Sequence, residues 1–401
     1  MSTDIAPKHA LLHTPVTSAE TIEWVAKVAE LEVLVREHRK TAEEDRRTPE
    51  VVMDALRAAG FHRMWVSREF GGGQVSIETG SAVIQALARL DASLAWQMGV
   101  QGAIGRLSDY LPEPTARKLF RDHSGLVVGG VNPSGSAEVV DGGFRLSGQW
   151  AFASGYAHAD WIVCAAFVTE NGKPRQTPTG REIRMAFLPV AETRMLDTWD
   201  TIGLRGTGSN HYTVAETFVP EEFTVAGADM LKPPAARPSR AYPVGYYDFG
   251  PFTSGSTALG VAQDALATFE ELATSKVPAA GATTLATSHT AQEKYARYAM
   301  LVRTAEVLLR DAARTVAAHG EDGGDDLSAL VRITAASVAE HAVAAVNGLY
   351  QLAGTSSLYT TSRLERAFRD VNSATKHITL SSSHFETVGQ YLLGGPLQMR
   401  R

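Results

Sequence analysis

The sequence predicts a mainly α protein with a central β domain, and three observations lead to that class. Apolar residues recur at helical spacing through the first 125 or so residues. From Leu126 to about Val225 the composition shifts toward Gly, Val, Thr and aromatics in short alternating runs. Beyond that, long Ala-rich stretches with helical spacing return. The domains are expected at residues 1–125, 126–231 and 232–401.

Each element follows in order. After a polar leader, residues 21–39 set Ile22, Val25, Val28, Leu31, Leu34 and Val35 mostly three or four apart among Glu, Lys and Arg, which predicts one amphipathic helix. Thr48-Pro49 opens a second, because proline's fixed φ suits the first helical position, and Gly60 stops it. Residues 69–73 form a loop, and residues 76–100 read as one long helix whose alanines permit close packing. In the β region, Asp141-Gly142-Gly143 and Glu170-Asn171-Gly172 mark hairpin turns, since Gly and Asn accept positive φ at little cost. Residues 232–238 read as a linker, 274–290 as a long loop and 321–326 as an acidic helix connection. Helices are expected over residues 254–272, 292–319, 327–352 and 362–393, a helical bundle.

Composition excludes several classes of function. Apolar residues make up 44% and charged residues 20%, values of an ordinary folded chain. The net charge of −6 gives no basic footprint for nucleic acid. A single cysteine, Cys164, closes no internal disulfide and cannot supply a thiolate zinc site. The leader lacks the basic-then-apolar pattern of a targeting signal, and no stretch of about 18 uninterrupted apolar residues appears. The expectation is a cytoplasmic protein without a metal, a nucleic acid partner or a membrane span.

Five segments carry more specific information: Glu69-Phe70-Gly71-Gly72; Leu90-Asp91-Ala92-Ser93-Leu94-Ala95-Trp96; Gly142 through Gly155 with Asp160-Trp161; Gly203-Leu204-Arg205-Gly206-Thr207-Gly208-Ser209; and Arg366-Ala367-Phe368-Arg369-Asp370 through His377 to Leu392-Leu393-Gly394. In this order they resemble the acyl-CoA dehydrogenase superfamily over nearly the whole chain, especially its flavin-dependent monooxygenase branch. The resemblance implies an N-terminal helical domain, a middle β-barrel and a C-terminal four-helix bundle, with flavin between barrel and bundle. It implies an oxygenase component that takes reduced flavin, FADH2 or FMNH2, from a separate NAD(P)H-dependent flavin reductase. With O2 as co-substrate, a flavin C4a-hydroperoxide would hydroxylate or epoxidise a small phenolic or indolic substrate. The absence of a GxGxxG turn between strand and helix fits electrons arriving on diffusing flavin. A homotetramer or dimer is implied too, burying Leu380, Val388, Leu392 and Leu393 against neighbours. The alternatives are an FAD-dependent acyl-CoA dehydrogenase, an amino-sugar N-oxygenase on the same fold, or a silent scaffold.

By the same resemblance, Phe152 and Ser154 fill the aromatic and hydroxyl places beside flavin N5, which makes Ser154 the first catalytic candidate. Asn132 and Ser136 belong to a loop that approaches the flavin; Arg205 and Thr207 lie in the segment that lines the cleft; Gln351 belongs to the Q-x-x-G landmark. Read without the resemblance, Ser154 is a turn serine before a glycine, and Arg205 serves equally well in a structural ion pair. His211 stands where relatives often carry Asp.

Registered on Gln351 and Arg369-Asp370, the place of the dehydrogenase base falls on Ile378, and no carboxylate occurs between Asp370 and Glu386. The group that would abstract a substrate α-proton is missing there. His377, next to it, can accept a phenolic or indolic proton and is the second catalytic candidate; by pattern alone it is a helix-face histidine. His384, seven residues on, is expected on the same helical face. Trp96, Tyr246, Phe249 and His384 are the candidate substrate contacts. Tyr246 and Phe249 belong to an aromatic run that serves equally to plug an interdomain seam, and Trp96 reads also as core.

Overall fold

The computed structural model describes residues 18–122, 125–178, 180–234, 242–279, 281–319 and 323–398. The leader up to residue 17, the linker from residue 235 and residues 321–322 of the acidic connection lie outside the described residues.

The first part is helical. α1 (Ala19–Ala29) and α2 (Glu32–Glu44) replace the single helix expected over residues 21–39. The break at Glu30 and Leu31 lets each piece turn its own stripe inward, Thr21 and Val28 from one, Val35 and Ala42 from the other. α3 (Glu50–Ala58) starts one residue after Pro49, which caps it, and Gly60 ends it in the left-handed region at φ 81°. α4 (Ile77–Leu90) and α5 (Ala92–Gly105) replace the continuous helix expected over residues 76–100. Asp91 divides them with extended backbone; its N–H closes α4 on the Leu87 carbonyl, and its Oδ1 accepts the Ser93 N–H at 2.8 Å. A short carboxylate that competes for backbone donors favours a cap over a helix interior. The short α6 (Glu113–Ala116) leads into the sheet.

The central domain holds β1 (Leu126–Val140), β2 (Gly143–Ala153), β3 (Ala159–Glu170), β4 (Lys173–Pro174), β5 (Gln176–Thr177), β6 (Gly180–Arg181), β7 (Ile183–Pro189), β8 (Thr193–Leu196), β9 (Asn210–Pro220) and β10 (Thr224–Ala226). The main sheet runs β10-β7-β3-β1-β2-β9-β8, with β4 on β3, while β5 and β6 pair separately. β1 runs parallel to β3 and antiparallel to β2. The segment expected as a loop, residues 132–136, lies inside β1 as an irregularity: Gly130 pairs with Cys164 and Gly135 with Ala166, so the residues between them leave the ladder. One core joins the helices to one face of the sheet; a second, around Val66, Phe70, Phe120 and Phe187, covers the other face.

The last part is a bundle of α7 (Gly250–Ser275), α8 (His289–His319), α9 (Gly324–Leu352), α10 (Arg363–Ala374) and α11 (Ser383–Leu392), with α7 packed against α4, α5, α8, α9 and α10. α9 is long and apolar enough to cross a membrane by length and composition, and more than half of that stretch is buried inside the protein. Helical, β and helical bundle is thus the observed architecture. The helix expected over residues 362–393 is interrupted: α10 stops before Thr375, a 3-10 turn spans Ile378–Leu380, and α11 follows. Local hydroxyl bonding favours the break, with Ser373 and Thr375 donating to carbonyls four residues back and Ser381 accepting the Ser383 N–H. His377 and His384 therefore do not share a helical face.

Candidate active site

The ends of β2 and β9, the middle of α5 and the turn between α10 and α11 meet around Ser154. Phe152 leaves β2 at φ 67°, the Ser154 N–H donates to the Phe152 carbonyl at 3.0 Å, and left-handed Gly155 (φ 83°) donates to the Thr207 carbonyl at 2.8 Å. This tight turn buries the Ser154 hydroxyl, where the Trp96 indole N–H donates to it at 3.2 Å. The hydroxyls of Ser154 and Ser209 lie 2.6 Å apart, those of Ser209 and Thr207 2.7 Å apart, and Thr207 donates to the Leu204 carbonyl at 2.8 Å.

The chain of contacts ends in the bundle. Leu204, at φ 54°, donates its N–H to Oδ1 of Asp370 at 2.7 Å. Burial, then the nearby Asp91 carboxylate, pushes the Asp370 carboxyl up to about 7, against the Leu204 N–H, Arg366 and Arg369.

His377 faces the same place. Its ring centroid lies 5.4 Å from that of Trp96 with planes at 76°, and its Nδ1 is 2.8 Å from the Thr379 hydroxyl. His377 keeps exposed surface while protein crowds its ring, and lost hydration lowers its pKa to about 4. It is therefore neutral at physiological pH. Ser154, Trp96, His377 and Thr207 form one constellation. Ser209 and Thr379, equally part of it, went unassigned in the sequence, where only the Gly206-Thr207-Gly208-Ser209 pattern hinted at the first.

Other candidates lie around this centre or apart from it. Phe152 is 62% exposed, with Trp199 and His211 edge-on at 6.2 and 5.5 Å, which gives His211 a place beside the ring. Asn132 is exposed on the β1 irregularity, whereas the Ser136 hydroxyl sits 3.1 Å from that of Thr169 on β3. Arg205 takes the structural role: it donates to Asp200, to the Thr201 carbonyl and to the Glu43 carbonyl of α2. Gln351 is exposed at the end of α9. Phe249 is wholly buried, 4.9 Å from Trp65 and 5.8 Å from Tyr242, and Tyr246 packs on Tyr247, contacts that fit the seam. His384 is half-buried on α11, its pKa lowered by burial and then by Arg332.

An exposed apolar ring, a neutral hydroxyl network and an exposed amide on neighbouring strands suit a flat aromatic group with a polar edge, as flavin is.

Comparison with known proteins agrees. The acyl-CoA dehydrogenase N-terminal domain matches residues 18–110 and the acyl-CoA dehydrogenase C-terminal domain residues 252–382. The chain is 30% identical to the FADH(2)-dependent resorcinol hydroxylase, oxygenase component, of Rhizobium sp., over 95% of this chain and 96% of that protein. It is 28% identical to the indole-3-acetate monooxygenase of Pseudomonas putida, over 90% and 91%. In fold it is similar to XiaF from Streptomyces sp. in complex with FADH2 and glycerol, with TM-score 0.86 and 23% identity over 95% and 97% of the two chains.

Proposed function

The chain belongs to the acyl-CoA dehydrogenase superfamily, and from that premise we propose that it is the oxygenase component of a two-component flavin-dependent monooxygenase that acts on a small aromatic or heteroaromatic substrate. One observation carries the choice within the superfamily: where a dehydrogenase needs a carboxylate, this chain has exposed Ile378, flanked by a histidine whose ring meets Trp96, the donor to Ser154. Without a base, α,β-dehydrogenation has no route at this position.

Reduced flavin, delivered by a separate reductase, supplies the activation of O2. The chain's own residues bind, orient and shield. Phe152 offers an apolar face, the Ser154 hydroxyl offers a hydrogen bond fixed by Trp96 and Ser209, and burial of that hydroxyl network limits water. His377 accepts or holds a substrate proton at its ring. Asn132, Thr207 and Gln351 complete the proposed cofactor contacts; Arg205 holds the loop that carries Thr207.

We infer a homotetramer or dimer as well. Leu392 and Leu393 are 71% and 91% exposed at the end of α11, an apolar pair that a neighbour would cover. Leu380 and Val388, expected in the same interface, are instead buried within their own chain. A monomeric mass by light scattering would count against assembly.

The test is turnover under 18O2 with reduced FAD or FMN from a reductase and resorcinol or indole as trial substrate. Incorporation of one 18O atom into product supports the oxygenase; bleaching of bound flavin by an acyl-CoA would overturn it.

A further inference from the structure

Two residues ahead of α3, buried Thr48 bonds to both turns that carry the Ser154 network. Its hydroxyl donates to the Gly206 carbonyl at 3.2 Å and accepts from the amide of buried Gln97, on α5, at 2.7 Å. The same amide donates to the Ser93 carbonyl at 3.1 Å, which fixes its orientation, and reaches Gly206 itself only at 3.4 Å. The Thr48 carbonyl serves the other turn: it lies 2.9 Å from Nε2 of His158. A carbonyl only accepts, so Nε2 carries hydrogen whatever the charge of the ring.

His158 is buried as well and closes the turn that begins at Ser154. Its backbone N–H donates to the Gly155 carbonyl at 2.9 Å, and its carbonyl accepts from Nη2 of Arg57, on α3, at 3.0 Å. Its Nδ1 lies 3.0 Å from Oε2 of Glu50, whose Oε1 accepts from Nη1 of Arg57 at 2.9 Å. The segment is thus gripped by ring and by backbone. The circuit closes through Gly155, whose N–H donates to the Thr207 carbonyl, one residue beyond Gly206. The Ser154 hydroxyl itself bonds to Trp96 and Ser209, so Thr48 and His158 act on it through the backbone alone.

A hydroxyl that has to meet one atom of a bound ring serves only if it is held to within about 0.5 Å. We propose that Thr48 and His158 are positioning residues: by tying the two turns to the start of α3 and to each other, they set where the Ser154 hydroxyl stands against Trp96 and Ser209. The consequence for turnover rests on the oxygenase reading; the placement does not.

The full-length protein labelled with 15N-histidine comes first, with His158 assigned by its loss in His158→Gln. Hydrogen on Nε2 is expected, and a bare Nε2 overturns the inference. In protein labelled with 15N-tryptophan, the indole N–H of Trp96, assigned by its loss in Trp96→Phe, then reports the bond to Ser154. His158→Gln sets an amide N–H where Nε2 stood and Thr48→Ser keeps the hydroxyl, so both should leave that signal in its parental place. His158→Asn reaches only the Nδ1 place and Thr48→Val cannot bond Gly206; both should move the signal and speed exchange of the indole hydrogen about three- to tenfold. Parental signals in the Asn and Val variants overturn the inference, and so do equal changes in the Gln and Ser variants. Should one of the Asn and Val variants fail to fold, the other decides; failure of both marks a merely structural role and also overturns it. In turnover, H2O2 released per NADH consumed should rise about three- to tenfold in the Asn and Val variants and stay parental in the Gln and Ser variants. Parental coupling in all four variants of a working oxygenase overturns the positioning role. The expected Trp96 signals in a protein that oxygenates no substrate defeat only the oxygenase reading.

Discussion

The indole of Trp96 meets the imidazole of His377 edge to face, with ring centroids 5.4 Å apart, while its N–H donates to Ser154 on the other side. One side chain from α5 thereby spaces the two catalytic candidates. Trp96→Phe keeps the ring contact and removes the donor. We expect substrate binding to change little and H2O2 release per NADH consumed to rise about three- to tenfold, as befits one lost hydrogen bond.

Ser154→Ala removes the hydroxyl at the centre of the same network and leaves Ser209 and Trp96 short of a partner. Coupling should fall by tenfold or so, with a stability loss of about 1–2 kcal/mol by urea unfolding. A variant as well coupled as the parent would remove Ser154 from the catalytic list.

Asp370 titrates near neutrality because it is buried beside Asp91. Its folded pKa of about 7 lies above the unfolded value of about 3.8, so the folded state holds the proton more tightly. Stability from this group is full at acid pH and is lost as pH rises between about 4 and 7. Asp370→Asn keeps an acceptor for the Leu204 N–H and cannot ionise. Its stability relative to the parent should improve by about 1–3 kcal/mol from pH 5 to pH 8, read from urea midpoints.

His377 shifts the other way, with a pKa of about 4 against an ordinary 6.5. The imidazole stays neutral through that interval, so the acid limb that it imposes on kcat/KM should lie near pH 4 rather than 6.5. His377→Asn should abolish that limb and lower oxygenation at least tenfold. A limb near 6.5 that vanishes in this variant would contradict the shift.

Gly102→Ala would place a methyl 2.3 Å from the Trp65 indole, and Trp65 also packs on Gly80 from α4. Neither helix backbone nor buried indole has room to yield, so we expect about 2–4 kcal/mol of destabilisation by urea unfolding.

Long-range composition told the class of each third of the chain, because burial imposes a period of 3.6 or 2 on any amphipathic element. It did not tell where helices break. Across Asp91 and across residues 375–382 the apolar spacing carries on, and the decision falls to single side chains that bond nearby backbone: the Asp91 carboxylate, the Ser373 and Thr375 hydroxyls. The site was legible in the same uneven way. Ser154, His377 and Trp96 stood out and lie together, while Ser209 and Thr379 matter through hydroxyl contacts that no spacing reveals. Arg205, the one cation of its segment, proved to be spent on Asp200 and two carbonyls.

Asp91 serves two helices at once, closing α4 with its N–H and opening α5 with its carboxylate. Fraying at that joint would expose both ends together, so the two helices should open as one cooperative unit in amide exchange rather than end by end. Trp96 lies little more than a turn beyond the joint, so the breathing of this single residue's contacts sets how steadily the indole stands between Ser154 and His377.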